Sequence, residues 1–268
     1  MTLNNKEIYL SLLPKYELVA NEFVESSIFK NKIKYNKDFI EIKISMDDEN
    51  ESLKLDVVKE ITSFLMKVMK ETILKEYIHK TYSEIYKEQE FSIYDKSLEI
   101  FDKKEVLIRE SIFNKLNNYI SNNNRIDIDG FVRFRMRELI DYVSNIGDIA
   151  LEEYLMKKDY DEFINVLKYF TKVQDTKIDT LKVYIRKDNS FILYDENDNI
   201  IENENDEELM NMFIKENLNY EDFLISTLLS LCPNRIIIYD SLKTNSSREI
   251  VDMIKAIFEE KVEETNKS

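Results

Sequence analysis

Apolar residues recur at spacings of three and four along most of the chain, and they alternate with polar ones only near its two ends. The first pattern is that of helices packed by one face, the second that of half-buried strands. Residues 7–13 (EIYLSLL) form an apolar run, strand or short helix, that Pro14 interrupts, and Leu18, Val19, Glu22 and Phe23 then fall in helical spacing over 15–29. Residues 33–46 alternate, with Ile40, Ile42 and Ile44 set against Phe39, Glu41 and Lys43, and predict a strand. An acidic turn at 47–51 leads to Ser52, placed to cap a long helix over 53–86 whose buried stripe is Val57, Ile61, Phe64, Leu65 and Val68. A second helical stretch covers 91–121, with a break near Ile100, and the polar residues 122–125 connect it onward.

The stretch 126–143, IDIDGFVRFRMRELIDYV, is the one around which the chain is organised. Asp129 is placed to cap a helix in which Val132, Met136, Leu139, Val143 and Ile146 share a face. Phe131 and Phe134 fall away from that face, so this helix is expected to be covered on two sides and to lie centrally. It also carries three arginines in five positions. Arg133 and Arg137 are one turn apart on one side, and Arg135 lies at the opposite edge. Two readings are open. The guanidinium forks of Arg133, Arg135 and Arg137 suit an anion or an acidic partner. Alternatively, Arg135 with Glu138 and Arg137 with Asp141 pair within the helix. Gly147 bends the helix or ends one segment, and 159–173 reads as a further amphipathic helix burying Phe163, Val166, Leu167 and Phe170.

Beyond this point the texture changes. Residues 178–185 and 191–194 are strand-like around a polar turn at 186–190, with Ile200 and Ile201 as a return strand. Short helices are expected over 207–217 and 220–231, the second ended by Pro233. The run RIIIY at 235–239 suits a buried strand, with Asp240 as a turn residue at its carboxyl end. Ser246 or Ser247 caps a last helix whose core face is Ile250, Met253, Ile254 and Ile257. The whole is an α+β fold, predominantly helical. It divides into a mainly helical domain over 1–175 with a short β segment at its start, and a small α/β module over 176–268 packed against it.

Composition narrows the function. A net charge of −15 argues against general nucleic-acid or anionic-membrane binding, which need a positive field. Two glycines and two prolines leave little material for glycine-lined ligand loops. The one cysteine, Cys232, allows neither an intrachain disulfide nor a cysteine metal cluster. No apolar run approaches the roughly 20 residues of a membrane span, and no basic region followed by an apolar core opens the chain, so a cytosolic protein is expected. His79, the one histidine, stands beside no nucleophile motif and reads as an exposed or capping residue. Asp195, Asn197 and Asn199 alternate as in a calcium loop, but Ile200 stands where the turn needs glycine and Asp206 where glutamate belongs. No metal site, cofactor or catalytic set is expected.

The central IDIDGFVRFRMREL, with EFINVLKYFTKVQDTKID (162–179), FILYDENDNII (191–201) and NYEDFLISTLLSLCPNRIIIYD (219–240), resembles the YtxC-like family of sporulation proteins. The ordered combination carries the resemblance, over about 120–260. It implies a setting in spore-forming bacteria and supplies no catalytic residues. Some members of that family end in a short cysteine cluster; residues 262–268 here contain none. The sequence therefore points to a cytosolic, non-catalytic protein acting in sporulation through a protein partner. The alternative is a small-molecule or anion-binding protein, or an enzyme, that uses the arginine cluster.

Overall fold

The computed structural model describes residues 5–29, 31–47, 51–186, 190–201, 220–240 and 244–265. The fold is α+β and predominantly helical, with two four-stranded sheets among the described residues. It divides into two compact units, Met1–Met156 and Lys157–Ser268.

In the first unit, β1 (Asn5–Leu12) pairs antiparallel with β3 (Ile40–Asp47), Ile8 opposite Ile44 and Leu10 opposite Ile42. These four side chains are fully buried, so the period-two alternation turns one sheet face to the core. The alternating stretch 33–46 is not one strand. Asn36 donates its N–H to the Phe39 carbonyl at 2.9 Å, closing a hairpin between β2 (Asn31–Tyr35) and β3. Asn36 and Asp38 are turn residues inside the alternation. The helix α1 (Glu17–Ser26) lies between β1 and β2 in sequence and buries Val19, Ala20 and Phe23.

The long helix expected over 53–86 is three pieces. α2 (Glu51–Lys67) runs into a π-helical turn (Val68–Leu74), then α3 (Lys75–Tyr82). The wider π turn places Val68, Met69, Thr72 and Leu74 all in the interior. α4 (Glu90–Lys103) and α5 (Glu105–Ile120) break at Lys104, close to the expected position. Ile108, Ile112, Leu116 and Ile120 face Val57, Ile61 and Leu65 of α2 within one core. Residues 122–125 are not only a connection. β4 (Arg125–Asp127) adds to β1 in parallel, completing the order β2-β3-β1-β4.

The central stretch is also two helices. Met136 leaves the helical region (φ −116°, ψ 21°) between α6 (Ile128–Arg135) and α7 (Arg137–Val173). Ile128, Phe131, Val132, Met136, Leu139, Val143 and Ile146 are buried, as expected of a central element. Phe134 is 82% exposed, so the start of this segment is covered on one side only. α7 runs unbroken through Gly147. A Cβ there would lie 3.1 Å from Cδ1 of Tyr77, so the missing side chain is what lets α3 and α7 approach.

In the second unit, β5 (Thr180–Ile185) pairs antiparallel with β6 (Phe191–Tyr194) and parallel with β7 (Arg235–Asp240). β8 (Val262–Thr265) adds in parallel to β7, an edge strand whose polar sequence hid it. Leu181, Val183, Ile236 and Ile238 meet Leu224 and Leu228 of α8 (Tyr220–Leu231) and Ile250, Ile254 and Ile257 of α9 (Asn245–Phe258). Thr244, not Ser246 or Ser247, caps α9: its side chain accepts from Ser247 N at 3.2 Å. The expected return strand at 200–201 is a single bridge, Tyr194 to Ile200. The expected helix over 207–217 lies outside the described residues.

One departure bears on function. In the second half of α7, Ile164, Leu167 and Thr171 are buried. Phe163, Val166 and Phe170, expected in the core, are about half exposed.

Candidate functional site

β1 and β4 run parallel, so their carboxyl ends emerge at the same edge of the sheet. The turn Pro14–Tyr16 leaves β1 there, and α6 leaves β4. Asp127, still extended (φ −78°, ψ 110°), caps α6 by accepting from Gly130 N at 2.6 Å. Asp129 is therefore not the cap. It sits in the first turn, where its carboxylate meets Arg133 Nη2 at 3.2 Å and Lys15 Nζ at 3.7 Å and accepts from the Tyr16 hydroxyl at 3.3 Å. Lys15 also reaches Glu76 on α3 at 3.6 Å, and Lys80 holds Glu76 at 3.0 Å. Burial, then the Asp129 charge, pushes the Tyr16 phenol well above its ordinary range. Burial works to raise the Glu76 carboxyl, but Lys80 and Lys15 outweigh it and hold it low. Lys15, Lys80 and Arg133 here share the carboxylates of Asp129 and Glu76.

The three arginines do not converge. Arg133 is held by Asp129. Arg135 lays its guanidinium over the Tyr119 ring, 4.7 Å from the centroid, and Tyr119 packs in turn on Phe131 at 5.2 Å. Arg137 is exposed in the first turn of α7 and has no carboxylate within ion-pair distance among the described residues. The expected pairs Arg135–Glu138 and Arg137–Asp141 are not formed among the described residues. The break at Met136 changes the helical phase between Arg135 and Glu138, and Glu138 instead lies 4.0 Å from Lys115. Clefts beside α2, lined by Phe23, Ser26, Lys59 and Lys67 and by Thr62, Arg109 and Phe113, involve other residues.

The remaining candidates resolve individually. His79 is mostly exposed, with Nδ1 3.0 Å from Glu90 Oε1 across the α3–α4 connection. Asp240 is buried, not a surface turn residue: it accepts from Ser247 Oγ at 2.8 Å and ties the end of β7 to the first turn of α9. Asp195 spends its carboxylate on its own turn, accepting from Asn197 N at 2.9 Å and Asn199 N at 2.8 Å. Those bonds hold its carboxyl low, and Asn199 contributes most. No group of carboxylates, imidazole and thiol suited to a metal is present among the described residues, and Asp206 is not among them. The thiol of Cys232 is buried beside the carbonyl of Thr171 at 3.6 Å.

Sequence reasoning missed one polar centre. Asp148 on α7 accepts from the hydroxyl of Tyr77 at 2.6 Å and from that of Tyr82, both on α3. Burial first, and then the shared carboxylate, raises both phenols. The signal was a glycine–aspartate pair in a helix, and nothing local to it names tyrosines some seventy residues earlier.

No helix among the described residues is long and apolar enough to cross a membrane. A family model described as the YtxC-like family matches residues 56–263. Over 164 residues the chain is 25% identical to "Uncharacterized protein YtxC" of Bacillus subtilis (strain 168), which covers 61% of this chain and 56% of that protein. No solved structure matches.

Proposed function

The chain belongs to the YtxC-like family, and from that premise we propose that it is a non-catalytic protein of the cytosol that serves sporulation by holding a protein partner. The observation that carries this reading is the second half of α7. There Phe163, Val166, Tyr169, Phe170 and Val173 are 46–65% exposed on one side of the helix. Three aromatics of roughly 150–250 Å² each, about half open, with two valines, present on the order of 400–500 Å² of apolar surface. That is the size of the largest patch on an ordinary monomer, which is often a functional one. The family resemblance supports the sporulation setting. The test is affinity capture from sporulating cells followed by mass spectrometry. A specific protein recovered with the chain is the expected result; a small molecule with no protein overturns it.

A second reading keeps the arginines as an anion clamp. It is favoured by Arg137, which is exposed and has no carboxylate within ion-pair distance among the described residues. An Arg133→Ala, Arg137→Ala double variant that sporulates as wild type disposes of it.

A further inference from the structure

We propose that the exposed stripe on α7 receives an amphipathic helix of another protein whose apolar stripe is flanked by lysine or arginine. The inference rests on the interaction reading above and names the partner's chemistry. From Phe163 to Val173 the stripe is roughly 15 Å long at 1.5 Å per residue, and built on the three- and four-residue spacing that a second helix interdigitates with.

The charge is what selects the occupant. Asp159 falls on the same side at the stripe's N-terminal end, one turn before Phe163, is exposed, and has no ionic partner among the described residues. Glu162 borders it. A partner that covers the stripe takes Asp159 out of water, and a carboxylate so covered needs a cation against it. A second copy of this chain does not supply one. Lys157, Lys168 and Lys172 project more than about 100° round the helix from the stripe's centre, and Lys158, at its edge, is paired with Glu162 at 3.8 Å. Lys168 and Lys172 are in addition drawn to Glu259, at 3.0 and 3.5 Å. Laid on itself, the stripe meets apolar side chains and a second aspartate, in a chain whose net charge of −15 already opposes self-association.

The chain contains no tryptophan, so a tryptophan placed in a probe peptide reports alone. Three designed peptides are titrated with the full chain: a helical one with a leucine stripe flanked by lysines, the same with glutamates, and a scrambled lysine peptide of identical composition. The expected result is binding of the first, with a blue shift of its emission, at least about tenfold tighter than the other two. Phe163→Glu with Phe170→Glu abolishes that binding even though it makes the chain more acidic. Asp159→Lys, at an exposed position that leaves the fold intact, weakens the lysine peptide about tenfold and strengthens the glutamate peptide. Equal binding of the scrambled peptide, or indifference to Asp159→Lys, overturns the proposal. So does a dimer in sedimentation that Phe163→Glu dissociates, which would make the occupant a second copy. A cellular protein captured equally well by wild type and by the double glutamate variant overturns the stripe and leaves the interaction reading standing.

Discussion

Replacing Asp148 by alanine strips two phenol hydroxyls of their acceptor at once. Tyr77 and Tyr82 both donate to its Oδ1, and the Tyr82 ring is nearly sealed from water. A hydrogen bond to a charged group contributes about 1.5–3 kcal/mol, and a buried donor left without an acceptor costs about 1–3 kcal/mol. Tyr82→Phe removes one donor and leaves Asp148 the other, so its expected cost is about 1.5 kcal/mol. Asp148→Ala removes both bonds and orphans the Tyr82 hydroxyl, so its expected cost is about 3 kcal/mol. In the double variant no orphaned Tyr82 hydroxyl remains, and the cost stays near 3 kcal/mol instead of the additive sum of about 4.5, a coupling of about 1.5 kcal/mol. The chain has two compact units, so a single unfolding midpoint is the wrong readout. Amide hydrogen exchange followed by mass spectrometry, read over residues 75–82 and 137–156, gives the opening free energy of the α3–α7 contact directly. Additive single-variant costs, within about 0.3 kcal/mol, would show that the carboxylate does not serve Tyr82 in solution.

Three further outcomes are expected. Asp127→Ala removes the cap of α6 and lowers protection there by about 1 kcal/mol, whereas Asp129→Ala leaves that cap intact and acts only through Lys15, Tyr16 and Arg133; exchange at Gly130 N separates the two. Ile164→Ala destabilises the second unit by about 2–5 kcal/mol, while Phe163→Ala, one residue away and half exposed, costs less than about 1 kcal/mol; comparable losses in a denaturant titration would contradict the burial pattern. Tyr16, Tyr77 and Tyr82 have phenols raised in the folded chain, so their contribution is complete below the unfolded tyrosine range near pH 10 and is lost as pH climbs above it. Phenolate absorbance should therefore show these tyrosines ionising only as the first unit opens, and Tyr82→Phe should flatten the alkaline loss.

The period of the apolar pattern made most elements legible, because burial selects side chains directly. Ile8, Leu10 and Leu12 alternate into a core, and Val57, Ile61, Phe64, Leu65 and Val68 stack along a helix. What stayed hidden was carried by the backbone or by distance in sequence. β4 and β8 are three and four residues long and sit at sheet edges, held by ladder hydrogen bonds that any side chain permits. Asp127 and Asp129 both precede or enter the same helix with capping chemistry. The choice fell to Asp127 because β4 keeps it extended, and Asp129 is drawn to Lys15, Tyr16 and Arg133 instead. Of the arginine cluster, the residues and the helical setting could be read. That Arg135 stacks on Tyr119 could not, since Met136 shifts the phase of everything after it.

The second half of α7 shows why periodicity finds an apolar face but not its neighbour. Two sectors lie side by side on that helix: Ile164, Leu167 and Thr171 in one, Phe163, Val166, Phe170 and Val173 in the other. Both satisfy the same three- and four-residue spacing, and a helix can turn only one of them into its own unit's core. The branched aliphatic pair Ile164 and Leu167 went inward to meet Leu181, Val183 and Ile236, leaving the larger aromatics outside. Had the aromatic sector been incidental surface, its positions would tolerate lysine or glutamate at little cost, as most exposed helix positions do. Instead Phe163, Val166, Tyr169, Phe170 and Val173 stand exposed on that side, with Asp159 at its N-terminal end. The proposed occupant is one matched to this surface in shape and charge. On that proposal the aspartate is what separates specific docking from indiscriminate apolar adhesion: it adds nothing to the latter, and it would select against a helix that lacks a cation at that turn.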